Sequence, residues 1–323
     1  MTAQQKKKSA KHHWWRLAQR LLTAAFLLLV IALIATRARD IAWDKVFDAL
    51  RSYEASTLLL AAAFAAASHL TYSGYDLLAR AYTRHGVRAV RVVLTALVSF
   101  AFNLNFGSTI GGIGFRWRLY SQAGLRKGLI ARIVAFSLST NWLGIFLLTG
   151  GVFLLRVIPL PASWGLGSSA LQLLGTALLL TVLAYLAMSA FARRRTIRVR
   201  RAHIDLPPLR MALGQLALSV TNWLFVGLLM YSLLHQQVKF PVVLGVLLTS
   251  CFAGVLIRVP AGLGVVEAVF LALLSARIPT AELLAALFAY RAIYYLGPLL
   301  IAIAIYLALE AGYRRAPRPA AAH

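Results

Sequence analysis

Runs of about twenty apolar residues recur along this chain, and they decide its fold class before any other feature does. The clearest cover about 17–36, 55–82, 130–155, 170–192, 211–234 and 282–309. About twenty helical residues cross a bilayer core. Lipid offers no hydrogen-bond partners to a backbone, so a spanning segment is either a helix or part of a closed barrel. These runs are continuous and rich in Leu and Ala, without the two-residue alternation of a barrel strand, so helices are expected. Composition agrees. Hydrophobic residues make up 60% of the 323 positions and charged residues 13%, against about 25% charged in a soluble domain. The reading is an all-α polytopic membrane protein with six full spans.

Two further apolar stretches are interrupted. Val92–Phe106 is short for a crossing and runs into "NFGSTIGGIGFRWRLY", which packs Gly107, Gly111, Gly112 and Gly114 ahead of Arg116 and Arg118. Phe240–Ile257 ends at "RVPAGLG", holding Gly262 and Gly264, and a short apolar segment, Val265–Ala276, follows. A backbone break at membrane depth is tolerated only where it is buried in protein or lines a cavity.

Charge sets the expected topology. The chain carries 34 Lys and Arg against 9 Asp and Glu, a net charge of +25. No soluble domain is evident to carry nucleic-acid binding, so nucleic acid is not an expected partner; the positive-inside rule and anionic headgroups account for the excess. Suppose the N-terminus is cytoplasmic and each interrupted stretch returns to the side it entered. The cytoplasmic side then receives 25 Lys and Arg and the outer side 7, while Arg258 and Arg291 fall within membrane segments. That bias places both termini in the cytoplasm and makes each break a re-entrant hairpin. The N-terminal 40 residues also look like a signal peptide, but the basic region is long and lacks a clear A-x-A site, so an uncleaved first span is expected. "RDIAWDKVFDALRSYEAS" after it reads as an amphipathic surface helix.

The two breaks resemble one another. "TIGGIGFRWRLY" and "RVPAGLGVVEAVF" both end a small-residue turn in Gly-x-Gly, and "NWLG" at 141–144 and "YYLG" at 294–297 follow them. Chance recurrence in a chain rich in Leu, Ala and Gly competes with a true repeat, but the topology supports the repeat independently. One membrane domain, 1–323, would then comprise 1–54 (first span and surface helix), 55–156 (first repeat), 157–210 (linking span and basic loop), 211–312 (second, inverted repeat) and 313–323 (basic tail). Transporters of this design hold substrate where the halves meet, between broken helices.

The candidate site follows from the breaks. Gly112, Gly114, Gly262 and Gly264 either serve close helix packing or expose N–H groups that attract an anion. Arg116, two residues past the last glycine of its break, suits phosphate oxygens. Arg118 is either a second ligand or an anchor at the cytoplasmic face. Arg258, Glu267 and Arg291 are charges within membrane elements and must be paired or functional. Glu267 either bridges to Arg258 or Arg291, takes a proton, or meets a cationic headgroup. Asp76 is a second-tier site candidate, with a simple helical pair to Arg80, four residues on, as the alternative. His69 reads as a hydrogen-bonded core residue. No enzyme motif, metal-spaced cluster or cofactor site is present, and Cys251 is the single cysteine.

The strings "YSGYDLLARAY", "FNLNFGSTIGGIGFRWRLYSQAGL", "STNWLG", "VPAGLGVVEAVF" and "AYRAIYYLGPLL" resemble the YbhN family of bacterial inner-membrane proteins. That family is similar to the transmembrane, flippase-like region of lysylphosphatidylglycerol synthase. The resemblance covers about residues 15–312 and implies a phospholipid-handling membrane domain in the bacterial inner membrane. The aminoacyl-transfer activity of the synthase is not carried over, because the chain stops soon after its last span. The resemblance carries functional weight onto the two breaks, Arg116, Glu267 and Arg291. The expected function is binding and translocation of an anionic phospholipid such as phosphatidylglycerol or cardiolipin. The alternatives are an accessory protein regulating cardiolipin synthesis, with a lipid-synthesis enzyme as partner, and a transporter of small solutes or ions.

Overall fold

A computed structural model of the chain describes residues 42–158, 168–191, 196–199, 202–257, 262 and 264–315. The expected first span at 17–36, Arg258 and the tail beyond 315 lie outside these residues. The chain divides into two compact units, Met1–Asp48 and Ala49–His323, and the site lies in the second.

The described helices are α1 (Trp43–Arg51), α2 (Ala55–Thr83), α3 (Ala89–Phe106), α4 (Phe115–Gln122), α5 (Lys127–Leu154), α6 (Ser168–Phe191), α7 (Leu209–Leu233), α8 (Phe240–Ile257), α9 (Val265–Leu274), α10 (Thr280–Tyr290) and α11 (Gly297–Arg315). Helix α1 is the expected amphipathic segment, with Asp44 in its first turn and Arg51 in its last, each matching the helix dipole. Among the described residues six helical stretches are long and apolar enough to cross a membrane. Five of them, Ala55–Thr83, Lys127–Leu154, Ser169–Phe191, Leu209–Leu233 and Thr280–Tyr313, match expected spans to within a few residues. The sixth is Ala89–Phe106, which begins three residues before the apolar run and reaches 18 residues.

Helices α2 and α7 pack along a seam where Gly74 of α2 lies against Leu218 and Gly214 of α7 against Leu78. On α2 the buried Ala61, Ala65, Ser68, Tyr72, Tyr75 and Ala79 recur every three or four positions. Small side chains let helix backbones approach, and polar ones bond across the gap. Ser68 Oγ donates to Asn222 Oδ1 on α7 at 2.8 Å. Helix α5 joins the pair, with Gln215 Nε2 of α7 donating to Thr140 Oγ1 at 2.8 Å. Large apolar side chains stay exposed on the outer helices, Leu173, Leu180 and Leu183 on α6 and Leu300, Ile301 and Leu307 on α11. Such faces suit lipid and not water.

The first glycine stretch folds the chain back on itself. Gly107 takes φ +82° after α3, and a π-helical turn, Ser108–Gly114, leads into α4. Phe115 of α4 then stacks on Phe102 of α3 at 3.9 Å, and Leu119 buries itself with Val98 and Ala101. Residues later in α4 therefore meet residues earlier in α3, an antiparallel helical hairpin. Gly111 is pressed against the α3 backbone, where a Cβ would lie 2.2 Å from the Phe102 carbonyl. The second break also doubles back: Gly262 approaches Gly254 of α8, and Gly264 at φ +78° starts α9.

One expectation needs correction and one is refined. The last expected span holds as a single helical stretch, Thr280–Tyr313, within which α10 passes through a π-helical turn, Arg291–Leu296, before α11. Pro298 has no N–H to offer the carbonyl four residues back. The Gly297 N–H instead reaches Ala292 O, five residues back, and a wide turn of this kind absorbs the mismatch. The basic segment between α6 and α7 is also more than a loop. It holds an antiparallel hairpin of β1 (Thr196–Val199) and β2 (Ala202–Asp205), with Thr196 opposite Asp205 and Val199 opposite Ala202. Elsewhere the described fold is helical.

Candidate functional site

A cavity of about 470 Å³ lies between the two breaks. Ser108 and Gly112 line it from the first break, Gly262 from the second and Gly254 from the end of α8. Arg116 is the one charged residue among the described lining residues. Much of the remaining wall is aromatic, with Tyr72, Trp142, Trp223 and the Tyr290, Tyr294 and Tyr295 group.

Arg116 is buried at 3% exposure and Asp76 at 0%. Arg116 Nη2 lies 3.0 Å from Asp76 Oδ1, and Nε donates to both carboxylate oxygens at 3.2 and 3.0 Å. Its Nη1 donates to Gly112 O at 3.2 Å, fixing the arginine to its own break. Asp76 also accepts from Ser137 Oγ at 2.6 Å and Tyr120 OH at 2.9 Å. Burying a charge requires this kind of complete satisfaction, since an unpaired ion in a dry interior costs several kcal/mol (about 3–5) when its partner is removed. The i,i+4 pair expected between Asp76 and Arg80 does not form. Arg80 Nε instead donates to Val87 O at 2.7 Å, closing the turn after α2. His85 in that turn lies edge-on to Tyr120 with ring centres 6.0 Å apart. Burial first, then the charge of Arg80, lowers its pKa.

The second break carries a matching arrangement. Arg291 Nε donates to Glu267 Oε1 at 2.9 Å and Nη2 to Oε2 at 3.3 Å. Nη2 also donates to Gly262 O at 3.1 Å. The guanidinium sits 4.5 Å from the centre of the Tyr295 ring, close enough for a cation–π contact. Among the described residues Arg291 is thus a partner of Glu267, while Arg258 lies outside them. This pair is less enclosed, at 13% and 23% exposure.

Each break is thus held by an arginine that bonds a carboxylate and a break carbonyl at once. The polarity is exchanged between them. Arg116 rides on the returning arm and its acid on a long span; Glu267 rides on the returning arm and its arginine on a long span.

The other candidates lie apart from the cavity. Arg118 is exposed and pairs with Glu310 of α11 at 2.9 Å, while Gln122 Nε2 donates to the same carboxylate at 2.8 Å. Gly114 and Gly264 shape the returning arms without lining the cavity. His69 is buried, with Nδ1 2.9 Å from Ala65 O. Sequence reasoning missed Tyr120, Ser137, Asn103 and Asn141. Their signal was polarity inside otherwise apolar helices, which in lipid marks a buried network or a cavity wall.

Comparison with known proteins places this arrangement in a family. The family described as "Lysylphosphatidylglycerol synthase TM region" matches residues 20–302. The chain is 42% identical over 282 residues to "Inner membrane protein YbhN" of Escherichia coli (strain K12), covering 87% of this chain and 89% of that one. It is 28% identical over 272 residues to "Uncharacterized protein slr0712" of Synechocystis sp., covering 83% and 84%. The chain is therefore a multi-pass membrane protein that belongs to the lysylphosphatidylglycerol synthase TM region family.

Proposed function

We propose that this protein binds an anionic phospholipid, phosphatidylglycerol or cardiolipin, and carries it between leaflets, with the phosphate held between the two breaks. The cavity carries the reading, because both breaks and Arg116 line it together. Asp76 and Gly112 engage three of the five N–H bonds of Arg116, leaving two for phosphate oxygens in the fork geometry that guanidinium favours. Asp76 moderates the positive charge, which suits a carrier that must release its ligand. The order of long helix, broken hairpin and long helix recurs in α2–α5 and α7–α11. That recurrence supports two inverted repeats meeting at a midplane site, with both termini cytoplasmic.

The test is leaflet exchange of acyl-labelled phosphatidylglycerol in vesicles containing purified protein. Exchange well above protein-free vesicles is expected. No acceleration sinks the transport reading and leaves an accessory role in lipid synthesis. The re-entrant topology has a separate test in whole cells. Single cysteines replacing Arg88 and Arg126, in a Cys251→Ser background, should both react with an impermeant maleimide from the cytoplasmic side only. Labelling from opposite sides means that residues 88–126 cross the membrane.

A further inference from the structure

Resting on the phospholipid reading above, we infer that anion binding at Arg116 is linked to proton uptake at His85, with Asp76 and Tyr120 carrying the link. The contacts run without a gap. Asp76 holds the guanidinium through Nε and Nη2. Tyr120 OH donates to Asp76 Oδ2 at 2.9 Å. The Tyr120 ring meets the His85 ring edge-on, with centres 6.0 Å apart. His85 stands in the turn between α2 and α3, buried at 7% exposure. The Val87 N–H donates to its Nδ1 at 3.3 Å, so the neutral ring carries its hydrogen on Nε2. Nε2 is buried and has no hydrogen-bond partner among the described residues. An added proton therefore goes to Nδ1. It displaces only the Val87 N–H, whose bond is already long. Val87 O stays with Arg80 Nε at 2.7 Å.

The field around the ring decides its charge. From α2, Arg80 opposes a proton there and Asp76 favours one. Helix α4 brings Tyr120. Tyr82 of α2 packs on the apolar cluster that Val87 and Tyr120 share, whereas the residues that α3 and α5 add to it, Val92, Ile130, Ile133, Val134 and Phe136, do not titrate. Arg84 and Arg88 of the turn itself, and Arg126 and Lys127 at the start of α5, are exposed, where solvent screens them. With Arg116 bound to Asp76 the two charges offset each other, and burial and Arg80 keep the ring neutral. A phosphate on Arg116 adds a negative charge and draws the guanidinium's field away from Asp76. The part of the Asp76 charge so uncovered favours a cation at His85. Linkage is reciprocal, so a proton on His85 strengthens phosphate binding by the same factor. The sign follows: the liganded protein holds more proton than the free one, and affinity rises as pH falls.

The experiment is calorimetric titration of the purified full chain, in neutral detergent, with short-chain phosphatidylglycerol, run in buffers of different ionisation enthalpy. The phosphodiester keeps its single negative charge over this range, so the lipid brings no proton change of its own. Binding should take up about half a proton per lipid near about pH 6 and almost none near about pH 8, with affinity about threefold tighter at the lower pH. His85→Gln should abolish both the uptake and the pH dependence. Arg80→Gln, which removes the opposing cation, should move the uptake to higher pH, and it decides the matter where His85→Gln fails to fold. Binding without proton uptake, the same uptake in His85→Gln, or an unmoved window in Arg80→Gln overturns the inference and leaves the phospholipid reading standing. No binding at any pH overturns the phospholipid reading and this inference with it.

Discussion

Arg116 and Asp76 stand forty residues apart in sequence and meet at 3.0 Å with both side chains closed to solvent. The pair is held by more than its charges. Two hydroxyls complete the carboxylate and a backbone carbonyl anchors the guanidinium. Asp76→Asn should strand a buried cation and lower unfolding stability in detergent by about 3–5 kcal/mol. The double variant Asp76→Asn, Arg116→Gln should recover part of that loss, because neither residue is then charged. Additive losses in the double variant would mean the two residues are not energetically coupled.

The Glu267–Arg291 pair should matter less to stability. It is partly open to the medium, and Arg291 retains Gly262 O and Tyr295 when the acid is neutralised. Glu267→Gln should therefore shift the unfolding midpoint by a fraction of the Asp76→Asn shift. The order of the two variants in one thermal assay checks this.

Gly111 should tolerate no side chain. A Cβ there lies 2.2 Å from the Phe102 carbonyl carbon and oxygen and 2.3 Å from the Asn103 nitrogen. The only relief is to open the α3–α4 hairpin. Gly111→Ala should cut the yield of monodisperse protein sharply. Gly128→Ala is the control, since nothing lies within 4 Å of its Cβ position on α5. There alanine should be neutral or stabilise by about 0.5–1 kcal/mol, as expected for glycine replaced in a helix.

Tyr53, in the turn before α2, gives a pH signature. Its OH donates to Leu233 O at 2.5 Å. Burial, and after it the charge of Glu282, pushes its phenol up from 10.0 to about 12. The folded state thus holds this proton more tightly than the unfolded chain does. The associated stability is complete below pH 10 and is lost as pH rises through about 12. Thermal unfolding followed across that window should fall more steeply for wild type than for Tyr53→Phe. Parallel slopes would show that another group governs the alkaline limit.

Much of this molecule could be read from its letters. Hydrophobic run length placed five of the spanning helices to within a few residues, because a bilayer fixes how long such a run must be. Glycine density marked both breaks, because a doubled-back helix needs residues without Cβ. Partner choice was less legible. Helical spacing offered Asp76 only Arg80 as a partner, whereas tertiary packing supplies Arg116, Tyr120 and Ser137. Spacing along one helix carries no information about what another helix presents to it. The β1–β2 hairpin was hidden by its six flanking and internal arginines, which suggested a solvated loop, although Thr196, Ile197, Val199 and Ile204 favour strand. The π turn at Arg291 was foreshadowed only by Pro298.

The short sequence span of the two arginine–carboxylate pairs bears on how the chain is made. Asp76 and Arg116 are separated by 40 residues, Glu267 and Arg291 by 24. The α2–α7 seam, by contrast, joins residues 154 apart. During synthesis each of these two pairs can form before distant helices have left the ribosome. The growing chain then inserts neutral, self-contained segments into the bilayer, and the long-range seam closes afterwards around charges that are already matched.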